Sequence, residues 1–315
     1  MTKIEKNLEQ FGKQGYVDLG SVVDVNTCAD LLAKIRSEKQ FSPAMFMDEE
    51  SFLRSPVFNG VNPKPGFNLL DNYDDFAQAI ENTDEITSLL RNLLGNGYSI
   101  IRKKIICGVP EEWIPRWILD RIRENPVNNL GPYVRPEYRD VTYFYGIDFH
   151  QDVIDFADRD IDFITLYVYL HDVSENAAPL NLLPGSFRLG VDGFPHDIDL
   201  ADETSNRWRY VHGKSGQSVE AIQQVITGSA GNVALWHACT IHGTEPNIGS
   251  NERVSLRYLI AKDPDSSATF LDSVNRGITT ERFNNSMRKD LMRDGAPCMK
   301  KNSLFDQHML RKEKQ

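Results

Sequence analysis

The chain has 315 residues, 40% of them hydrophobic and 25% charged, the balance of an ordinary globular protein. A formal net charge of −10 and a pI near 5.2 argue against a nucleic-acid partner or an anionic membrane surface. Four scattered cysteines (Cys28, Cys107, Cys239 and Cys298) argue against a disulfide framework or a zinc knuckle. The opening MTKIEKNLEQFGKQG lacks the apolar run of a secretory signal, and no stretch reaches transmembrane length, so a cytoplasmic location is expected.

The first third predicts helices. NTCADLLAKIRSE carries apolar residues at helical spacing, with Asn26 or Thr27 as N-cap. DDFAQAIENTDEITSLLRNLLG predicts one or two helices closed by Gly95. YSIIRKKIICGVP predicts an Ile-rich strand ended by Gly and Pro. Residues 111–140 predict a short helix and a long loop, an insertion expected to form a lid. Trp113 and Trp117 fall four apart there, on one helical face. From residue 141 the texture is β: VTYFYGIDFHQD, DFITLYVYLHDV, GNVALWHACTIHG and RVSLRYLIAK are rich in aromatic and β-branched residues. Residues 262–315 predict a peripheral helical tail, with TTERFNNSMRKDLMR as its helix. With no repeat or low-complexity linker, one domain over 1–315 is expected, mainly β with flanking helices.

FHQDVID sets His150 two positions before Asp152, which on a strand end aims both at one point. A divalent metal takes both and asks for a third ligand. In GNVALWHACTIHGT, His237 and His242 fall on opposite faces of a continuous strand. The small neighbours Ala238 and Thr240 favour His242, although a strand histidine is often structural. Eleven residues on comes Arg253, and Arg257 shares its face. A buried arginine needs an anion, and the forked guanidinium suits a carboxylate. A salt bridge within the protein and a dicarboxylate cosubstrate both satisfy that need; the spacing from His242 favours the cosubstrate. Two histidines and one carboxylate form the facial triad of non-heme Fe(II) oxygenases.

FHQD, LNLLPGSFRLG and WHACTIHGTEPNIGSNERVSLRY together resemble the phytanoyl-CoA dioxygenase family of Fe(II)/2-oxoglutarate oxygenases, over roughly residues 10 to 260. The resemblance implies a double-stranded β-helix (jelly-roll, cupin-like) core. It implies His150, Asp152 and His242 on Fe(II), with Arg253 and the Thr244 hydroxyl holding 2-oxoglutarate. His237 matches a family histidine that is not a ligand, and Phe187 stands where the family has His. The implied reaction hydroxylates an aliphatic C–H of a small molecule using O2, with succinate and CO2 released. Asp152, in place of the Gly or Ala of related halogenases, disfavours halogenation. Tyr143, Tyr145, Gln151 and Asn181 are the expected substrate contacts. The competing classes are a zinc hydrolase at the same ligands and a non-catalytic cupin-like binding protein. Oligomeric state is not legible in the sequence.

Overall fold

Long apolar runs from residue 99 onward pair into one large sheet, onto which the N-terminal amphipathic helices pack. The computed structural model describes residues 1–54, 69–122, 125–157, 159–266, 268–278, 281–290, 304–305 and 307–308. The N-terminal part runs α1 (Lys3–Gln14), β1 (Tyr16–Ser21), α2 (Val25–Glu38), α3 (Glu49–Arg54), α4 (Asp74–Glu81) and α5 (Asp84–Leu94). Next come β2 (Ser99–Gly108), α6 (Arg116–Ile122), β3 (Val127–Asn129), β4 (Thr142–His150), β5 (Phe163–Tyr169) and β6 (Leu180–Leu182). A separate three-stranded sheet holds β7 (Asp197–Asp202), β8 (Arg207–Val211) and β9 (Ser218–Ile222). The chain continues through β10 (Gln224–Ile226), β11 (Asn232–His237), β12 (His242–Thr244), β13 (Arg253–Ala261) and α7 (Phe270–Asn275).

The large sheet has the order β1-β11-β5-β13-β2-β4-β12-β6-β10, with β3 on β4. It curls into a nearly closed barrel, the expected jelly roll. Its two end strands approach each other: the Tyr16 hydroxyl of β1 donates to Gln224 Oε1 of β10 at 3.2 Å. Tyr169 of β5 donates to the Ile226 carbonyl at 2.8 Å across the interior. Inside the barrel, Tyr16, Ile106, Tyr167, Leu180, Leu182 and Trp236 form one buried cluster. Outside, Leu31, Ile35, Ile80, Leu89 and Leu93 of the helices cover Ile105, Leu166, Val168 and Leu256 of the strands. Among the described residues, no helix is long and apolar enough to cross a membrane.

The differences from expectation are local. Asp24, not Asn26 or Thr27, caps α2, accepting from the Thr27 amide. The 74–95 stretch is two helices, the second capped at Gly95. The strand expected over 231–243 breaks after His237 and resumes at His242, so side-chain parity does not carry across it. Ala238 and Thr240 do not make room for a cofactor: Ala238 packs in a separate core cluster, and the Thr240 hydroxyl bonds the Gly15 carbonyl at 2.8 Å.

In 111–140, Trp113 ends a 3-10 turn (Glu111–Trp113) while Trp117 lies on α6 beyond Pro115, so one helix does not carry both. Trp117 packs instead with Phe52 and Tyr133. Leu130, Pro132 and Val134 are buried and β3 pairs with β4.

TTERFNNSMRKDLMR is not a helix over its described residues, which hold only a 3-10 turn at Asn285–Met287; residues 279–280 and 291–293 lie outside them. The tail is not peripheral where it is described. Leu304 and Phe305 are buried, the Leu304 amide donates to Asp148 Oδ1 at 2.9 Å, and Phe305 stacks on Tyr145. Two glycines make the room: a Cβ on Gly146 would lie 2.7 Å from the Phe305 ring, and one on Gly243 3.1 Å from Leu304. Phe305→Ala is therefore expected to cost about 3 kcal/mol of stability. A urea denaturation midpoint unchanged from wild type would show that the tail is not part of the core.

Candidate metal centre

Antiparallel pairing of β12 with β4 sets His242 directly opposite His150, with ring centroids 4.2 Å apart. β4 ends at His150, and Asp152 begins a 3-10 turn (Asp152–Asp155) rather than continuing the strand. The turn still delivers the carboxylate: Asp152 Oδ1 lies 3.6 Å from His242 Nε2. One ligand atom from each of His150, Asp152 and His242 lies within 4.8 Å of the others, and all three residues are buried.

The second contacts of these side chains orient them. His150 Nδ1–H donates to the Asp148 carbonyl at 2.9 Å, and His242 Nδ1–H to the Thr240 carbonyl at 2.9 Å. Both rings use Nδ1 on the carbonyl two residues before them, which leaves Nε2 of each for another partner. Asp152 Oδ2 accepts from the Thr165 hydroxyl (2.5 Å) and Trp236 Nε1 (2.8 Å). Its Oδ1 accepts from the Arg257 guanidinium. Burial works to raise the Asp152 pKa, but Arg257 and His242 hold it well below the usual carboxylate range. Burial, with His242 beside it, keeps His150 neutral far below the usual histidine range.

A cleft opens from this cluster. Ile106, Phe144, Ile147, Leu180 and Trp236 give it apolar walls, and His150, His242, Thr244, Arg253 and Arg257 its polar groups. Arg253 is 1% exposed. Its Nη1 donates to the Tyr167 hydroxyl at 3.0 Å, its Nε has no partner, and no described carboxylate pairs with it. Gly108 lies opposite on β2, where a Cβ would come within 3.0 Å of Arg253 Nε. The absent side chain leaves the guanidinium its space.

The other expected contacts lie elsewhere. Tyr143 and Tyr145 point away from the cleft into the core beneath the helices. Gln151 is buried and holds loops together, donating to the Gly190 and Cys239 carbonyls and accepting from the Asp192 amide. Asn181 bonds the Pro179 carbonyl and Gln223. None of these four lines the cleft. His237 is committed too: Nε2–H donates to Asn275 Oδ1 at 2.8 Å and Nδ1 accepts the Cys239 amide. Thr165, Tyr167 and Phe144 carried no sequence signal of their own. Trp236 shared a parity class with His242, and Arg257 one with Arg253.

The family model for phytanoyl-CoA dioxygenase (PhyH) matches residues 11–255. A "Probable alpha-ketoglutarate-dependent hypophosphite dioxygenase" of Stutzerimonas stutzeri is 22% identical over 254 residues, covering 78% of this chain and 73% of that one. Among solved structures, the non-heme alpha ketoglutarate dependent epimerase SnoN from nogalamycin biosynthesis superposes with a TM-score of 0.51 at 17% identity, covering 95% of this chain and 96% of its own. SnoN in complex with Fe3+, alpha ketoglutarate and nogalamycin RO gives 0.52 at 17% identity, covering 95% of this chain and 97% of that one. These likenesses carry the fold.

The buried histidines set a pH dependence. Burial lowers His237 to about 4, and His150 also stays neutral in the fold, whereas both titrate near 6.5 once unfolded. From pH 6.5 down to about 4, the unfolded chain takes up protons that the folded chain refuses. Stability therefore falls with pH by about 1.4 kcal/mol per unit for each such histidine. His237→Gln is expected to flatten this slope by about one proton in urea titrations at stepped pH without added metal. An unaltered slope would count against the assignment.

Proposed function

This chain belongs to the phytanoyl-CoA dioxygenase family of Fe(II)/2-oxoglutarate-dependent oxygenases, and we propose that it oxidises an aliphatic C–H bond of a small-molecule metabolite, with hydroxylation the favoured outcome and release of succinate and CO2. The observation that carries the reading is Arg253: a buried guanidinium with no carboxylate partner among the described residues, lining the same cleft as the His150–Asp152–His242 cluster. A buried cation of this kind needs an anion from outside the chain, and a dicarboxylate cosubstrate supplies one.

The donor set fits the metal. Two imidazole Nε2 atoms and one carboxylate oxygen are a donor set that ferrous iron takes in a facial triad. His150, Asp152 and His242 would hold the ion, and Arg253 with the Thr244 hydroxyl would hold the distal carboxylate of 2-oxoglutarate. Iron bound there, with 2-oxoglutarate and O2, supplies the oxidant for an unactivated C–H. Thr165 and Trp236 fix the Asp152 carboxylate and so the face presented to the metal. The Asp148 and Thr240 carbonyls fix both imidazole tautomers. Ile106, Phe144, Ile147 and Leu180 exclude water around the reacting carbon. A hypophosphite dioxygenase and an epimerase carry different named activities on related chains, so the outcome rests on how the substrate is placed.

Anaerobic addition of Fe(II) and 2-oxoglutarate is expected to produce a weak visible metal-to-ligand absorption band, followed under O2 by succinate release with an accepted substrate. A zinc hydrolase or an empty barrel gives no band. Arg253→Leu is expected to weaken 2-oxoglutarate binding by at least roughly tenfold. Thr165→Val, which removes one bond to the ligand carboxylate, is expected to weaken metal binding by roughly 10- to 100-fold. Calorimetric titrations check both, and wild-type affinities in both variants would refute the assignment.

A further inference from the structure

The barrel interior holds two more cations that the proposed reaction does not use. Arg257 on β13 and Lys104 on β2 are cross-strand partners, so two like charges sit side by side on one face. Such a pair destabilises a sheet unless something compensates it. Lys104 is buried, at 4% exposed, and Arg257 is partly buried, its side chain 11% exposed. The Lys104 ammonium makes no hydrogen bond or ion pair among the described residues. Burial and then Arg257 push Lys104 down to about 7, while Asp155 and Asp152 pull it the other way.

Arg257 lines the cleft and among the described residues has one acceptor, Asp152 Oδ1. That is the oxygen facing His242 Nε2, because Oδ2 is already bonded by Thr165 and Trp236. A metal held by the triad and the guanidinium therefore compete for one oxygen. The divalent ion carries the larger charge and repels the guanidinium as well. Arg257 then needs another acceptor. Asp155, the other carboxylate acting on Lys104, is already held by Arg288 at 3.2 Å.

We propose that Arg257, backed by Lys104, forms an oxyanion-binding subsite, and that the substrate is a small acid whose carboxylate, phosphate or phosphonate sits beside the metal. The inference rests on the triad holding a metal, as proposed above. Metal binding removes Arg257 from Asp152 and makes it available to the substrate anion. By linkage the two binding events reinforce each other. The forked guanidinium matches the paired oxygens of such a group, and Lys104 adds charge behind it.

The test is calorimetric titration of protein saturated with Mn(II) and 2-oxoglutarate, using inorganic phosphate, methylphosphonate and acetate as probes. At least one probe is expected to bind, at least tenfold more weakly to Arg257→Gln and less severely weakened in Lys104→Met. Wild type without metal is expected to bind the same probe at least tenfold more weakly. The preferred probe separates a phosphorus oxyanion from a carboxylate. Should Arg257→Gln fail to fold, Arg257→Lys, which keeps the charge but not the fork, must still show a measurable loss. No binding by any probe, equal binding by the Arg257 variants, or a loss confined to 2-oxoglutarate affinity overturns the subsite. In those cases Mn(II) and 2-oxoglutarate titrations in the same samples leave the oxygenase reading standing. Failure of wild type to bind Mn(II) removes both.

Discussion

The antiparallel register of β12 against β4 places the two imidazoles face to face, and the other functional positions follow from it. Once His242 lies across from His150, the chain needs only one further turn after β4 to bring in a carboxylate. The neighbouring strands then supply what that carboxylate requires. Thr165 comes from β5, Trp236 from β11 and Arg257 from β13, three consecutive strands on the opposite wall of the barrel. The site is thus a junction between the two halves of the sheet, with both histidines on strands and Asp152 on the turn after β4.

Positive charge is concentrated inside a chain that is negative overall. Arg253 and Lys104 are buried, and Arg257 partly so, within a protein of net charge −10. Burying cations is costly; Arg257 is paired with Asp152, whereas Arg253 has no carboxylate partner among the described residues. Gly108, with no side chain to crowd Arg253, and Tyr167, with one bond to it, leave the guanidinium only partly satisfied.

Sequence reasoning succeeded where chemistry is local and failed where it depended on strand parity through irregular backbone. HxD, the later histidine and the arginine eleven residues on were legible because their spacing and residue types resemble the family's motif blocks. The parity used to select His242 assumed a continuous strand that in fact breaks after His237. Register shifts on both sides of Ile147 turn Phe144, Ile147 and His150 toward the cleft. Tyr143 and Tyr145 are left on the far face. A bulge changes which side chains share a face, and nothing in TYFYGIDFH except Gly146 marks one. The buried tail was missed for a related reason: its sockets are two glycines far away in the chain, and a polar, charged segment does not advertise four buried positions.

By itself, then, the sequence determined the fold class, the candidate ligand triad and the arginine that lies beside it, because the motif blocks that carry the family resemblance depend on residue type and on spacing within each block. Only the tertiary structure decided which oxygen of Asp152 faces the histidines, which side chains wall the cleft and that Lys104 lies beside Arg257. Those relations join strands tens of residues apart, and hydrogen-bond register, which no local pattern encodes, sets them.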